Sequence, residues 1–150
     1  MDVKKLSCIL VPVDGSAASD AAVRFAAQLA GATGAQLDVL HVSYFDRETD
    51  DAEVSWLPDS VAGAVGTRAE DALARACELV APEVRCETHY RAGAPASTIL
   101  AFAKACGADL IVMGSRRMDA LHAALLGSVS TDVLKGAACP VTVVKAAVEP

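Results

Sequence analysis

Leu110-Ile111-Val112-Met113-Gly114-Ser115-Arg116-Arg117, nine further residues, then Gly127-Ser128-Val129-Ser130: the reading of the fold turns on this stretch. An unbroken apolar run delivers the backbone to a glycine, as a strand buried on both faces would. A second glycine, followed by hydroxyl residues, then opens a helix. That is how a chain builds a phosphate cradle. Glycine lets an anion approach the backbone, serine donates through N–H and O–H, and a helix N-terminus adds unpaired N–H groups and a partial positive charge.

The same grammar recurs along the chain. Cys8 to Val13 is a near-continuous apolar strand with Pro12 at its end, where a missing N–H does least harm. Asp14-Gly15-Ser16 turns the chain, and Ser16 is placed to cap a helix whose apolar face is Ala22, Phe25, Ala26 and Leu29. Gly31 and Gly34 punctuate its end. Leu37 to Val42 reads as the second strand. A polar loop from about Ser43 to Ser60 follows, with Trp56 docking onto the domain. Next comes a helix with Ala69, Leu73, Ala76, Cys77 and Val80 on one face and an Asp71 to Arg75 pair along it. Val84 to Tyr90 alternates apolar and polar, which predicts an edge strand with Arg85, Glu87 and His89 outward. Pro95 starts the third helix, with Ile99, Phe102, Ala103 and Cys106 buried and Gly107 at its end. Asp109 to Met113, a helix from about Ser128 to Lys135, and a strand within Pro140 to Lys145 complete the series.

Strand and helix alternate throughout residues 1–150, so the expected fold is one α/β domain with a five-stranded parallel sheet. The predicted core holds Ile9, Val11, Phe25, Leu29, Val39, Leu73, Ile99, Ile111, Val112 and Val143. Ligands in such sheets sit beyond the carboxyl ends of strands, where strand order reverses. Two loops lie at such ends, Asp14-Gly15-Ser16 and Gly114 onward. Both can serve one ligand only if the first and fourth strands are neighbours.

Composition narrows the function. Lys and Arg number 13 against 19 Asp and Glu, for a net charge of -6. With no basic run, the chain lacks the footprint of a duplex-binding protein, and an anionic membrane surface is equally disfavoured. Aromatics make up 4%, too few for a platform that stacks single-stranded bases. No run approaches the roughly 20 apolar residues of a membrane helix. The start, Met1-Asp2-Val3-Lys4-Lys5, lacks the apolar region of a signal peptide, so the cytoplasm is expected. The five cysteines are scattered, without a C-x-x-C pair, and read as reduced thiols. No G-x-S-x-G elbow, Walker loop or H-E-x-x-H motif is present. His41 reads as a satisfied side chain at a strand end, and His122 as a surface residue.

Four pieces, in this order and spacing, carry a resemblance: Ile9-Leu10-Val11-Pro12-Val13-Asp14-Gly15-Ser16, Ala108 to Ser115, Leu126-Gly127-Ser128-Val129-Ser130, and Cys139-Pro140-Val141-Thr142-Val143-Val144. Over nearly all its length the chain resembles the universal stress protein family. The resemblance implies a doubly wound, Rossmann-like sheet in order 3-2-1-4-5, which sets strands one and four side by side. It implies ATP as ligand, with any magnesium held through phosphates and water. It further implies a cytoplasmic homodimer, paired through its last strand, that acts in the stress response by ligand-dependent binding. The nucleotide-binding branch carries G-x2-G-x9-G-(S/T). Gly114, Gly127 and Ser128 match it, whereas Arg117 occupies the second glycine position. By analogy Asp14 meets the base and sugar end, Val42 offers backbone groups to adenine, and Gly114, Gly127, Ser128, Val129 and Ser130 surround ribose and phosphates. Pro12, Val13, Met113, Arg116 and Arg117 complete the candidate set. If the backbone at Arg117 needs positive φ, arginine is strained by about 1 kcal/mol or more. If not, it adds a donor fork for phosphate. Two other readings stay open: a member that has lost the nucleotide and acts through protein contacts alone, and a slow ATPase.

Overall fold

The computed structural model describes residues 5–43, 59–115 and 127–145, and for 59–68 the backbone alone. Trp56, Arg116, Arg117 and His122 therefore lie outside the described residues. Among those described, the elements are β1 (Cys8–Pro12), α1 (Ala17–Thr33), β2 (Gln36–Ser43), α2 (Asp59–Glu78), β3 (Cys86–Ala92), α3 (Pro95–Cys106), β4 (Leu110–Gly114), α4 (Ser128–Gly136) and β5 (Val141–Val144). The strands form a single sheet in the order β3-β2-β1-β4-β5. Every pairing is parallel, with Ile9 opposite both Leu37 and Leu110.

Alternation along the strands splits the core in two. Ile9, Val11, Leu37, Val39 and Val112 pack under α1 and α2, where Ala22, Val23, Ala26, Ala72 and Ala76 cover them. Leu10, Leu40, Ile111 and Met113 pack under α3 and α4 against Ile99, Phe102 and Val133. The three central strands are covered on both faces, which is why they read as continuous apolar runs. Alanine dominates the first layer, so α1 settles close to the sheet. Its buried stripe is centred on Ala22, Val23, Ala26, Ala27 and Ala30, and Phe25, expected inside, is 41% exposed. The small alanines let the helix rotate so that the large ring points away from a shallow interface. Leu29, Leu73 and Val143 are only half-buried, and Cys77 is exposed.

Local chemistry sets the ends. The Ser16 hydroxyl accepts the Ser19 N–H at 3.2 Å and caps α1. Gly34, at φ 78°, closes α1 in the left-handed conformation that favours glycine. Gly31, expected near that end, lies inside the helix. Arg75, expected to pair with Asp71 along its own helix, reaches across to the buried Asp20 of α1.

β3 departs most from expectation. It begins at Cys86, two residues after the expected start, and Thr88 and Tyr90 are exposed. His89, expected outward, turns in: its ring packs 4.7 Å from Phe102 and its Nε2 lies 2.9 Å from Asp38 Oδ1. The reason is Asp38, a carboxylate only 3% exposed on β2 that requires donors. Gln36 supplies a second at 3.2 Å, and the Cys8 thiol a third, to Oδ2, at 3.0 Å. Burial pushes the Asp38 carboxyl up, but the hydrogen bonds from Cys8, His89 and Gln36 outweigh it and hold the group below its ordinary range. Burial, and then donation to Asp38, push the Cys8 thiol far up; burial also raises Cys106.

A carboxyl pKa lowered by folding stabilises the protein above the unfolded-state value of about 3.9, and that contribution is lost as pH falls through the lower folded value. Asp38→Asn keeps the volume but removes the charge, and is expected to cost about 2–3 kcal/mol at neutral pH. The gap between the two proteins should narrow on acidification below about pH 4. Urea unfolding of both across pH checks this; a gap independent of pH would show that the charge of Asp38 contributes nothing.

Candidate functional site

The strand order reverses between β1 and β4, and the loops leaving their carboxyl ends open one cleft. Its described lining is Pro12, Val13, Asp14, Ser16, Ser19, Val42, Pro95, Ile99, Met113, Gly114, Val129 and Ser130, around about 100 Å³. Each part has a local cause. After Pro12, Val13 extends the ladder by donating to Leu40 O at 2.8 Å. Gly15, at φ 83°, then reverses the chain into α1. The Asp14 carboxylate accepts the Ser16 N–H at 2.9 Å, which fixes the turn and leaves Asp14 exposed at the mouth. Ser19 Oγ lies 3.4 Å from the Asp14 N–H and donates to Ser16 O at 3.1 Å. His41 Nδ1 lies 3.0 Å from Val13 O, so the imidazole fastens β2 to the end of β1.

Gly114 ends β4 under an unusual constraint. A Cβ there would lie 2.4 Å from the carbonyl carbon and oxygen of Ala18 and 2.8 Å from Ser19 N. The place of the missing side chain is taken by the backbone of α1. This glycine therefore admits a helix as well as lining the cleft, the close helix–strand packing known from dinucleotide folds.

The opposite wall is the start of α4. Gly127 is its N-cap, at φ -65° and ψ 163°, and has no side chain to cap with. Its carbonyl accepts from Thr131 N and Oγ1, each at 3.0 Å. Among the described residues, no side chain caps the first N–H groups of the helix. Ala94, at the start of α3, likewise supplies no capping side chain, and Pro95 of that first turn lines the cleft. The partial positive charge of two uncapped helix starts is directed at one volume. Among the described lining residues Asp14 alone ionises, so this backbone field is not offset by other formal charges in the cleft.

A parallel sheet in this order, with an open cleft at the β1/β4 switch point and an uncapped glycine-serine helix start beside it, matches one family throughout. The model of the universal stress protein family matches residues 7–145. The chain belongs to the universal stress protein family. A universal stress protein of Bacillus subtilis is 36% identical over 144 residues, covering 91% of this chain and 97% of that one. The solved universal stress protein UspA of Lactobacillus plantarum superposes with a TM-score of 0.76 at 30% identity, over 95% of this chain and 99% of that one. The universal stress protein of Archaeoglobus fulgidus in complex with dAMP superposes with a TM-score of 0.68 at 26% identity, over 95% and 100%.

Of the residues singled out by sequence, Pro12, Val13, Asp14, Val42, Met113, Gly114, Val129 and Ser130 converge on the cleft. Gly127 and Ser128 start the helix at its edge. Arg116 and Arg117 belong to the undescribed segment. Ser19, Pro95 and Ile99 were missed as cleft residues; Ser16, read as a cap and as part of the Asp14-Gly15-Ser16 loop, lines the cleft as well. Pro95 carried a signal, since a proline opening a helix after β3 lies at the same carboxyl edge of the sheet as the other loops.

Gly114→Ala tests the packing constraint with a diagnostic sign. Glycine to alanine in a relaxed extended segment is neutral or stabilising. Here the added methyl must displace the α1 backbone, and a loss of about 1–3 kcal/mol is expected. Urea denaturation reads it directly; an unchanged midpoint would mean that α1 moves aside freely.

Proposed function

We propose that this chain binds ATP in the β1/β4 cleft and acts as a cytoplasmic, homodimeric stress-response protein through ligand-dependent interactions. The observation that carries the reading is the uncapped start of α4, with Val129 and Ser130 lining the cleft next to Gly114. Unpaired helix N–H groups, a serine hydroxyl and a glycine form a donor set suited to phosphate oxygens. Pro12, Val42, Ile99 and Met113 give the inner cleft apolar walls for a base, and Asp14 stands at its mouth, where a ribose hydroxyl can donate to it. The volume bounded by the described residues is below the roughly 300–1,000 Å³ of whole ligand sites, in keeping with an inner chamber that opens outward along the phosphates. With Asp14 the sole carboxylate among the described lining residues, a magnesium ion arriving with ATP would be held through phosphate oxygens and water. Among the described lining residues no second ionisable group stands beside Asp14 to activate water, which favours binding over turnover. The five free cysteines are in keeping with a reducing compartment.

Gly127→Val is the test of the ligand. The backbone of Gly127 is extended, a conformation valine adopts readily, so the fold should survive while the side chain crowds the phosphate donors. Losing two charge-assisted hydrogen bonds of roughly 1.5–3 kcal/mol each predicts a fall in ATP affinity of at least about 100-fold by calorimetry. Unchanged ATP affinity in a folded variant would remove the phosphates from the α4 start.

The proposed dimer rests on β5, an edge strand whose four residues are all half-buried within one chain. Pro140 O accepts from Ile111 N and Val144 O from Ser115 N, each at 3.0 Å. By the alternation of a parallel ladder, Val141 and Val143 turn their backbone groups to the open edge. Val143→Pro deletes an outward N–H and leaves the inner ladder intact. Light scattering is expected to show a dimer for the parent and a folded monomer for the variant; a dimer in both would move the interface elsewhere.

A further inference from the structure

At the other end of the sheet, four polar side chains from four elements meet beneath α3. Cys8 opens β1, Asp38 lies near the start of β2, His89 reaches in from β3 and Cys106 closes α3. Cys8 Sγ is 3.9 Å from Cys106 Sγ and 3.0 Å from Asp38 Oδ2. The two sulfurs and the carboxylate all lie within 4.8 Å of one another. This group is remote from the nucleotide cleft: Cys8 and Pro12 are opposite ends of β1, about 13 Å apart at a strand's rise.

We propose that Cys8, Cys106 and Asp38 form a binding site for a thiophilic divalent cation, zinc by its ligand chemistry, with His89 positioning the carboxylate. The spacing fits the ion. Two thiolates bound to tetrahedral zinc at about 2.3 Å stand about 3.8 Å apart, against the 3.9 Å found between these sulfurs. The carboxylate is already oriented. His89 Nε2 at 2.9 Å and Gln36 Nε2 at 3.2 Å hold Oδ1, which leaves Oδ2 turned to the thiols. Outer donors that fix a ligating carboxylate in this way are a regular part of metal sites. Thiolates select against magnesium and calcium, which prefer all-oxygen shells. On binding, the Cys8 and Cys106 thiols each release a proton to solvent and two S–metal bonds form; no electron is transferred. A surface groove of about 450 Å³, with His89, Arg91, Phe102 and Cys106 in its lining, reaches the Cys106 side of the cluster.

The experiment uses the whole chain, reduced and stripped of metal, titrated with Co²⁺ as a coloured substitute for zinc. One equivalent should bind with a sulfur-to-cobalt charge-transfer band, and Zn²⁺ should displace it. Cys8→Ser and Cys106→Ser should each weaken binding about 100-fold or more, His89→Ala about 10- to 100-fold, and Cys77→Ser, on an exposed residue of α2, not at all. A second readout needs no variant: Zn²⁺ should protect Cys8 and Cys106, and not Cys77, from alkylation mapped by mass spectrometry. The proposal is overturned by the absence of the band, by a band that survives both serine substitutions, or by equal alkylation with and without zinc. Formation of a Cys8–Cys106 disulfide under mild oxidation, with no metal uptake, would also overturn it and make the pair a redox couple.

Discussion

A Cβ on Gly114 would sit 2.4 Å from the carbonyl group of Ala18, so the last residue of β4 and the first turn of α1 occupy positions that only glycine permits. Much of the site follows from this contact. It brings α1, which leaves β1, over the end of β4, and so places the loop from β1 beside the loop from β4. The cleft between them is bounded by the same two residues, Gly114 and Ser19, that make the contact. Alanines along α1 continue the close approach down the helix, from Ala18 through Ala22 and Ala26 to Ala30, all buried. Packing of the helix and shaping of the cleft are thus one constraint, read at two places.

The sheet has two chemically opposite ends. At the carboxyl ends of the strands, helices begin, and their N–H groups present positive potential with no lysine or arginine among the described cleft residues. At the amino ends lie Asp38 and two thiols, acceptors and potential anions gathered round one buried carboxylate. Parallel topology creates this polarity, since every strand enters from one side and hands over to a helix start at the other. An anionic ligand suits the first end and a cation suits the second.

Legibility in the sequence followed burial. β1 and β4 are covered on both faces, so Cys8 to Val13 and Leu110 to Met113 show unbroken apolar runs, and the expected strand boundaries fall within a residue of those observed. β3 is an edge strand with little cover, and its pattern placed Val84 and Cys86 correctly against the core but missed the inward turn of His89. Phe25 was misplaced because an alanine-rich helix has almost no amphipathic contrast: the stripe can turn by one residue without changing the apolar count. The glycine-serine helix start was visible because glycine and hydroxyl residues do recognisable work there. The Asp38 cluster was not, because its partners lie 30 residues back at Cys8 and 51 ahead at His89, brought together only by sheet order. Strand order itself came from the family resemblance, since alternation of strand and helix says nothing about which strands are neighbours.

The two ends are joined by rigid parts. β1 runs from Cys8 to Pro12 through three fully buried residues, Ile9, Leu10 and Val11, and cannot stretch. α3 runs from Pro95 and Ile99 at the cleft wall to Cys106 at the cluster, about 10 Å from Ile99 by helical rise. Holding Cys106 to Cys8 therefore fixes α3 along β1, and with it one wall of the cleft. Any slide of α3 along β1 must change the separation of the two thiols. With both sites filled as proposed, linkage sets the sign rule: whatever factor an ion at the amino end imposes on nucleotide affinity, the nucleotide imposes on the ion's affinity in turn.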